Sequence, residues 1–268
     1  MKILLTFDLE EFNLPLEYNI SLKKSEQFTI PKQGLDNLLK LLEKYNIKAT
    51  FFTTAEFAKK YPLMLLELSK NHEIACHGLF HSSCSLDEIK LAKTQIEKIT
   101  DKKITGFRAP KFQFSQIQEL KNLGFEYDSS IHPIWLPGRY FNIYKKRNLH
   151  KIGGIIEIPP STLPVFRFPI FWLAFKNFPL LYSKIFTKIN SMFSDYTMLV
   201  FHPWEFENLD NIKIPKYIKK PVLKKLEKYI KFCIKNNYAF LTISYYLQKS
   251  LKCPNTALMP LKLNFKSS

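Results

Sequence analysis

Arginine is scarce in this chain of 268 residues. There are four, Arg108, Arg139, Arg147 and Arg167, and the other 36 basic residues are lysines. Against 23 acidic residues they leave a formal charge of +17, which favours an anionic partner. Readers of nucleic-acid bases depend on the planar fork of arginine, so the shortage argues against nucleic acid. Many lysines recur at helical spacing between apolar residues, as in Lys224, Lys225, Lys228 and Lys231. They read first as solvated helix faces and second as attraction to a membrane surface. Cysteine is also sparse: Cys76, Cys84, Cys233 and Cys253 show no CxxC spacing. The apolar run at the N-terminus meets Asp8 too soon for a signal peptide, so a cytoplasmic protein with reduced thiols is expected. No stretch reaches the ~20 apolar residues of a spanning helix. No GxGxxG or phosphate loop appears, which leaves nucleotide binding without support, and there is no internal repeat.

What is present is a regular alternation of short apolar strands and amphipathic helices. Strands are expected at 2–7, 48–53, 72–76, 106–108, 125–127, 155–158, 198–201 and 239–243. Helices are expected at 31–45, with Pro31 in the first turn, in two pieces split by Pro62, and at 86–99, 114–123 and 221–235. Ser85 and Glu88 form a capping box before the third of these. The alternation predicts parallel strands with crossover helices. Unusual polar residues fall at the C-terminal strand ends: Asp8 and Glu10, His77 and His81, Arg108, Asp128, His202. That edge is where parallel α/β folds build active sites.

His77-Gly78-Leu79-Phe80-His81 places two imidazoles four residues apart, where one ion could take both if the segment forms a helical turn. The alternative is two ordinary surface histidines. Asp8, Glu10 and Glu11 supply carboxylates after the first strand. They could cap the next helix, but three acids in four positions repel unless a cation sits among them. Arg108 could equally be a structural ion pair, His202 a core histidine, and Asp128 with Ser129 a turn.

In this order the motifs resemble the polysaccharide deacetylases, the NodB-homology group of carbohydrate esterase family four. Thr6-Phe7-Asp8-Leu9-Glu10-Glu11 stands where the family has Thr-Phe-Asp-Asp-Gly. His77 and His81 keep the His-x-x-x-His spacing, with Gly78 replacing a hydroxyl residue. Arg108-Ala109-Pro110, Tyr127-Asp128-Ser129-Ser130 and Leu199-Val200-Phe201-His202 follow. The resemblance covers 2–205. It implies a distorted (β/α) barrel of about seven parallel strands in a single α/β domain, here 1–250 with a tail at 251–268. It implies Asp8 as general base and Glu10, His77 and His81 as ligands of one divalent metal ion, with Glu11 the alternative carboxylate. Zinc is the expected ion, with cobalt, nickel or manganese as alternatives. It further implies Arg108 paired with the base, His202 as general acid, and Asp128 supporting that acid. Pro110, Ser129 and Trp204 are the expected substrate-binding residues. The implied reaction removes an N-acyl group, usually acetyl, from an amino sugar, using water made acidic by the metal. A cyclic-amide hydrolase like allantoinase and a non-catalytic saccharide-binding protein are the competing readings.

An aromatic segment at about 163–193 carries Phe166, Phe168, Phe171, Trp172, Phe175, Phe178, Tyr182 and Phe186. It reads as a buried helical hairpin, or as an interfacial patch that docks on a membrane to reach a lipid-linked saccharide. Residues 12–29 lack periodicity and are expected to form a loop over the site, with Tyr18 in reach of substrate.

Overall fold

The computed structural model describes residues 1–81 and 84–252. Cys253 and most of the expected tail at 251–268 lie outside the described residues. The sheet begins with β1 (Lys2–Leu9), β2 (Thr50–Thr53), β3 (Glu73–Cys76), β4 (Gly106–Phe107) and β5 (Tyr127–Asp128). A small hairpin, β6 (Trp135–Leu136) with β7 (Tyr140–Phe141), stands apart from it. Then come β8 (His150–Ile152), β9 (Ile155–Glu157), β10 (Tyr196–Phe201) and β11 (Ala239–Phe240). The order across the sheet is β10-β1-β2-β3-β4-β5-β9-β8, and β11 extends it by pairing with the start of β1. From β10 to β9 all neighbours are parallel; β8 alone is antiparallel.

The seven parallel strands from β10 to β9 curl into a half-barrel whose two edges approach each other. Ser161, just beyond β9, accepts from the Met198 amide with its hydroxyl at 2.9 Å. Its own amide donates to the Met198 carbonyl at 3.3 Å. β1 lies between parallel neighbours and is buried on both faces from Ile3 onward, so it reads as a continuous apolar run rather than an alternating one. Pleating still sorts its side chains: Leu4 joins a small inner core with Phe52, Ala75, Tyr127 and Met198, while Ile3, Leu5 and Phe7 join the large core under the helices. Thr6 and Asp8 continue the inward series, and both meet the inward-pointing Arg108.

The helices are α1 (Lys24–Lys44), α2 (Ala55–Lys60), α3 (Pro62–Asn71) and α4 (Leu86–Thr100), then α5 (Trp172–Asn177), α6 (Leu180–Asn190), α7 (Lys216–Lys219), α8 (Leu223–Lys235) and α9 (Ile243–Lys252). The Ser85–Glu88 capping box forms as expected. Pro31 departs from expectation. It sits inside α1, not in its first turn, because the carbonyl that a proline cannot satisfy, that of Gln27, accepts instead from the Phe12 amide at 2.8 Å. The loop expected at 12–29 is correspondingly shorter, a 3₁₀ turn at Leu14–Tyr18 and then α1. Tyr18 contacts Tyr217 there, hydroxyl to hydroxyl at 3.0 Å. The helix expected at 114–123 is only a 3₁₀ turn, Ile117–Lys121. The strand expected at 239–243 ends at Phe240, and α9 follows it to close the inner core with Ile243, Tyr246 and Leu247.

Gly34 marks the tightest packing against the site. A Cβ there would lie 2.0 Å from the Pro203 carbonyl oxygen, so α1 touches the chain immediately after His202 through bare backbone.

Candidate active site

The three expected metal ligands converge at the mouth of the half-barrel. Glu10 follows β1, and His77 and His81 follow β3. Glu10 Oε2 lies 3.0 Å from His77 Nε2 and 3.1 Å from His81 Nε2. One ligand atom from each residue falls within 4.8 Å of the others. The histidines meet across a loop, not on a helical turn: Gly78 takes φ +85°, which turns the chain back so that both rings face Glu10. His77 Nδ1 is 2.8 Å from the Arg108 carbonyl. A carbonyl only accepts, so Nδ1 carries the proton and Nε2 presents its lone pair. Glu11 stays outside the trio. Its Oε1 accepts from Thr54 at 3.2 Å, and burial, with the Glu10 charge beside it, lifts its carboxyl to about 7. Burial also pushes Glu10 upward, but His81, His77 and His202 outweigh it and hold the carboxyl at about 2. Two imidazoles and one carboxylate, desolvated and aimed at one point, suit a divalent ion of the zinc type.

Asp8 ends the inward row of β1 and is nearly inaccessible. Its Oδ1 accepts from Arg108 Nη1 at 2.7 Å. Arg108 is fully buried after β4 and spends every donor group locally. Nη1 also reaches Thr6 Oγ1 at 3.0 Å, Nη2 reaches Ser129 Oγ at 3.0 Å, and Nε reaches the Ser129 carbonyl at 3.3 Å. Its plane stacks on Phe52, 4.0 Å from the ring centre. A guanidinium clamped on all sides fixes the Asp8 carboxylate in one orientation.

His202 enters from β10 on the other side of Glu10, its Nε2 3.8 Å from Glu10 Oε1. Asp128 does not support it. The partner is Glu205, whose Oε1 accepts from the His202 backbone amide at 2.8 Å and from ring Nδ1 at 3.1 Å. Behind Glu205 lies the buried Lys176 ammonium, 3.4 Å away, which also faces Trp172 and Trp204 and donates to the Ile218 carbonyl at 2.6 Å. Burial would lower the His202 pKa, but Glu205 and Glu10 overcome it and raise it. Trp204 stacks on the ring at 5.0 Å and Trp172 meets it edge-on at 5.6 Å.

Asp128 instead joins a buried acid pair with Glu157, on neighbouring parallel strands. Burial and the Asp128 charge raise the Glu157 carboxyl well above its ordinary range, and burial raises Asp128 as well. The Ser130 hydroxyl donates to Asp128 at 2.6 Å. The three expected substrate-binding residues are structural as placed. The Ser129 hydroxyl is fully buried between Arg108 and the Ile158 carbonyl. Trp204 is a buried wall under His202. Pro110 is buried and faces Gly78.

Sequence reading missed Glu205, Lys176 and Glu157. For Glu205 a local signal exists, since His202-Pro203-Trp204-Glu205 puts an acid three residues after a histidine. Lys176 and Glu157 become partners only through the fold.

Residues 2–127 match the family model for polysaccharide deacetylase. A peptidoglycan deacetylase of Helicobacter pylori is 32% identical over 108 residues, which is 37% of this chain and 37% of that protein. Among solved structures, one from Mycobacterium smegmatis assigned to the polysaccharide deacetylases covers 100% of this chain and 94% of its own, with TM-score 0.63 at 18% identity. Puue allantoinase covers 94% and 90%, with TM-score 0.59 at 15% identity. At those identities the likeness is one of fold. Residues 2–127, just under half of the chain, thus resemble the polysaccharide deacetylase family, and they carry Asp8, Glu10, His77, His81 and Arg108.

Proposed function

We propose that the protein is a metal-dependent hydrolase that removes an N-acyl group, acetyl in the simplest case, from an amino sugar of a glycan such as peptidoglycan. The observation that carries this reading is the joint geometry: a Glu10–His77–His81 donor set flanked by an arginine-clamped carboxylate and a carboxylate-backed histidine. The sequence likeness to a peptidoglycan deacetylase favours a sugar amide over a cyclic amide.

Glu10, His77 and His81 would hold one divalent ion, zinc suiting this donor set best, and the ion would polarise the acyl carbonyl and lower the pKa of water. The Asp8 oxygen not engaged by Arg108 takes a proton from the attacking water. Arg108 keeps that carboxylate aimed and dry. As the C–N bond breaks, His202 Nε2 delivers a proton to the nitrogen, so a neutral amine leaves. Glu205 holds Nδ1–H of the same ring, fixes the tautomer, and stabilises the imidazolium before transfer. Water, the N-acyl sugar and the two proton transfers balance to a free amino sugar and a carboxylate.

The purified protein is expected to hold about one divalent ion per chain. His77→Ala is expected to lose it while remaining folded. Metal analysis of both forms checks this, and a wild-type protein that binds no added zinc or cobalt contradicts the proposal.

A further inference from the structure

α6 is built the wrong way round for a helix that merely covers a core. Its buried face carries Ser183, Thr187 and Asn190 beside Phe186. Thr187 and Asn190 are satisfied internally, Thr187 by Tyr229 at 2.6 Å and Asn190 by the Tyr196 carbonyl at 2.8 Å. Its solvent side carries Leu181 and Ile185, 63% and 47% exposed, with the exposed Lys188 one turn on, and Met192, just past the end of the helix, is 61% exposed. Surface helices normally show the opposite pattern.

The loop before α5 extends this surface. Val165 and Phe166 are 84% and 78% exposed. Val165 and Arg167 both take positive φ, +64° and +54°, a costly conformation for a β-branched residue. The loop is fastened to α6. Tyr182 donates to the Pro169 carbonyl at 2.7 Å, and Arg147 joins the Thr162 carbonyl at 2.8 Å to Asn190. Of the aromatic segment at 163–193, then, Phe175 and Phe186 are core, as a covering hairpin requires, while Phe166, Phe168 and Phe178 face solvent.

Beside the stripe, α6 and α8 enclose a groove of about 520 Å³ lined by Lys184, Lys188, Lys228, Lys231 and Lys235 over Leu180 and Phe232. Among the described residues no acid lines it, and Glu227, outside the lining, pairs with Lys231 at 3.6 Å. Five ammonium groups along a shallow groove next to an exposed apolar stripe match an anionic bilayer, with phosphates against lysines and acyl chains against Leu181 and Ile185. A second copy of the chain fits poorly, because two such grooves would repel. An extended apolar patch without this rim would leave the partner open.

We propose that this face, formed by α6, the 165–168 loop and the lysine groove with α8, docks the protein peripherally on an anionic phospholipid membrane. The loop runs on through Phe171 to Trp172 against His202, so docking would bring the bilayer close in sequence to one wall of the active site. The inference does not depend on the proposed chemistry, because its test reads binding alone.

The test is flotation of the full chain with vesicles of phosphatidylcholine alone and of phosphatidylcholine mixed with phosphatidylglycerol. Binding is expected only to the mixed vesicles. Lys228→Gln/Lys231→Gln/Lys235→Gln should weaken it about a hundredfold, the factor that about 1 kcal/mol per lysine gives for three. Leu181→Asp/Ile185→Asp should abolish it with the thermal unfolding midpoint retained. No binding to mixed vesicles at low salt overturns the proposal. So does binding that the Leu181/Ile185 pair leaves unchanged, since net charge alone would then explain it. A concentration-dependent dimer broken by the same pair would instead assign the face to a second copy.

Discussion

Replacing Glu205 by Gln separates the roles that the structure assigns to the His202–Glu205–Lys176 row. The substitution keeps the shape, and the amide oxygen can still accept from the His202 backbone. It removes the one anion that the described residues place beside a buried ammonium, since Lys176 is 3.4 Å from Glu205 and its side chain is almost wholly buried. Breaking a buried pair from one side costs about 3–5 kcal/mol, because the remaining charge is stranded. Removing Lys176 as well, in Glu205→Gln/Lys176→Met, takes the stranded charge away. It leaves only the Ile218 carbonyl without its donor, about 1–3 kcal/mol. Urea denaturation of the two variants is therefore expected to rank the double above the single in stability. Activity should not follow stability. Glu205 heads the groups that raise the His202 pKa, so both variants should lose at least about tenfold in kcat, general acid catalysis being worth about 10²–10⁴. A Glu205→Gln protein within about 1 kcal/mol of wild type, or a double variant no more stable than the single, refutes the reasoning.

Two further outcomes follow from packing and burial. Gly34→Ala gains helix propensity of about 1 kcal/mol but drives a methyl into the Pro203 carbonyl, where overpacking costs about 1–3 kcal/mol or more. Thermal unfolding should show net destabilisation, with kcat lowered because Pro203 adjoins His202; a more stable, fully active variant contradicts the close contact. His132 is buried among Phe112, Phe171 and Tyr140, and burial, with Arg108 nearby, lowers its pKa from 6.5 to about 3. Its folded pKa is below the unfolded one, so this contribution is whole above about pH 6.5 and is lost as pH falls toward about 3, at about 1.4 kcal/mol per unit. His132→Leu should flatten the fall of unfolding free energy over that window, leaving the smaller share of His72, whose pKa burial lowers to about 4; an unchanged slope contradicts it.

The residues that carry chemistry were legible where local sequence places them. Strand ends put Asp8, Glu10, His77, Arg108 and His202 on one edge, and the parallel alternation fixed which edge. The loop geometry of the histidine pair was not legible because spacing alone does not reveal Gly78 in a left-handed turn. Pro31 was misplaced because its rescue comes from Phe12, an amide nineteen residues earlier. Asp128 was given the wrong partner because Glu157 meets it only through strand pairing, which leaves no trace in spacing. α6 was ambiguous because its buried polar face is satisfied by Tyr229 and Tyr196, from other elements.

The central claim is that Glu10, His77 and His81 with Asp8 and His202 form a working amidase centre for acylated amino sugars. Acetate release tests it most directly, measured on peptidoglycan, N-acetylglucosamine oligomers and allantoin as a cyclic-amide control, with added zinc or cobalt. The account predicts metal-dependent acetate from an N-acetylated sugar substrate, and a loss of at least about a hundredfold in Asp8→Asn. No acetate from any sugar by metal-loaded protein, or release that Asp8→Asn leaves intact, would contradict it.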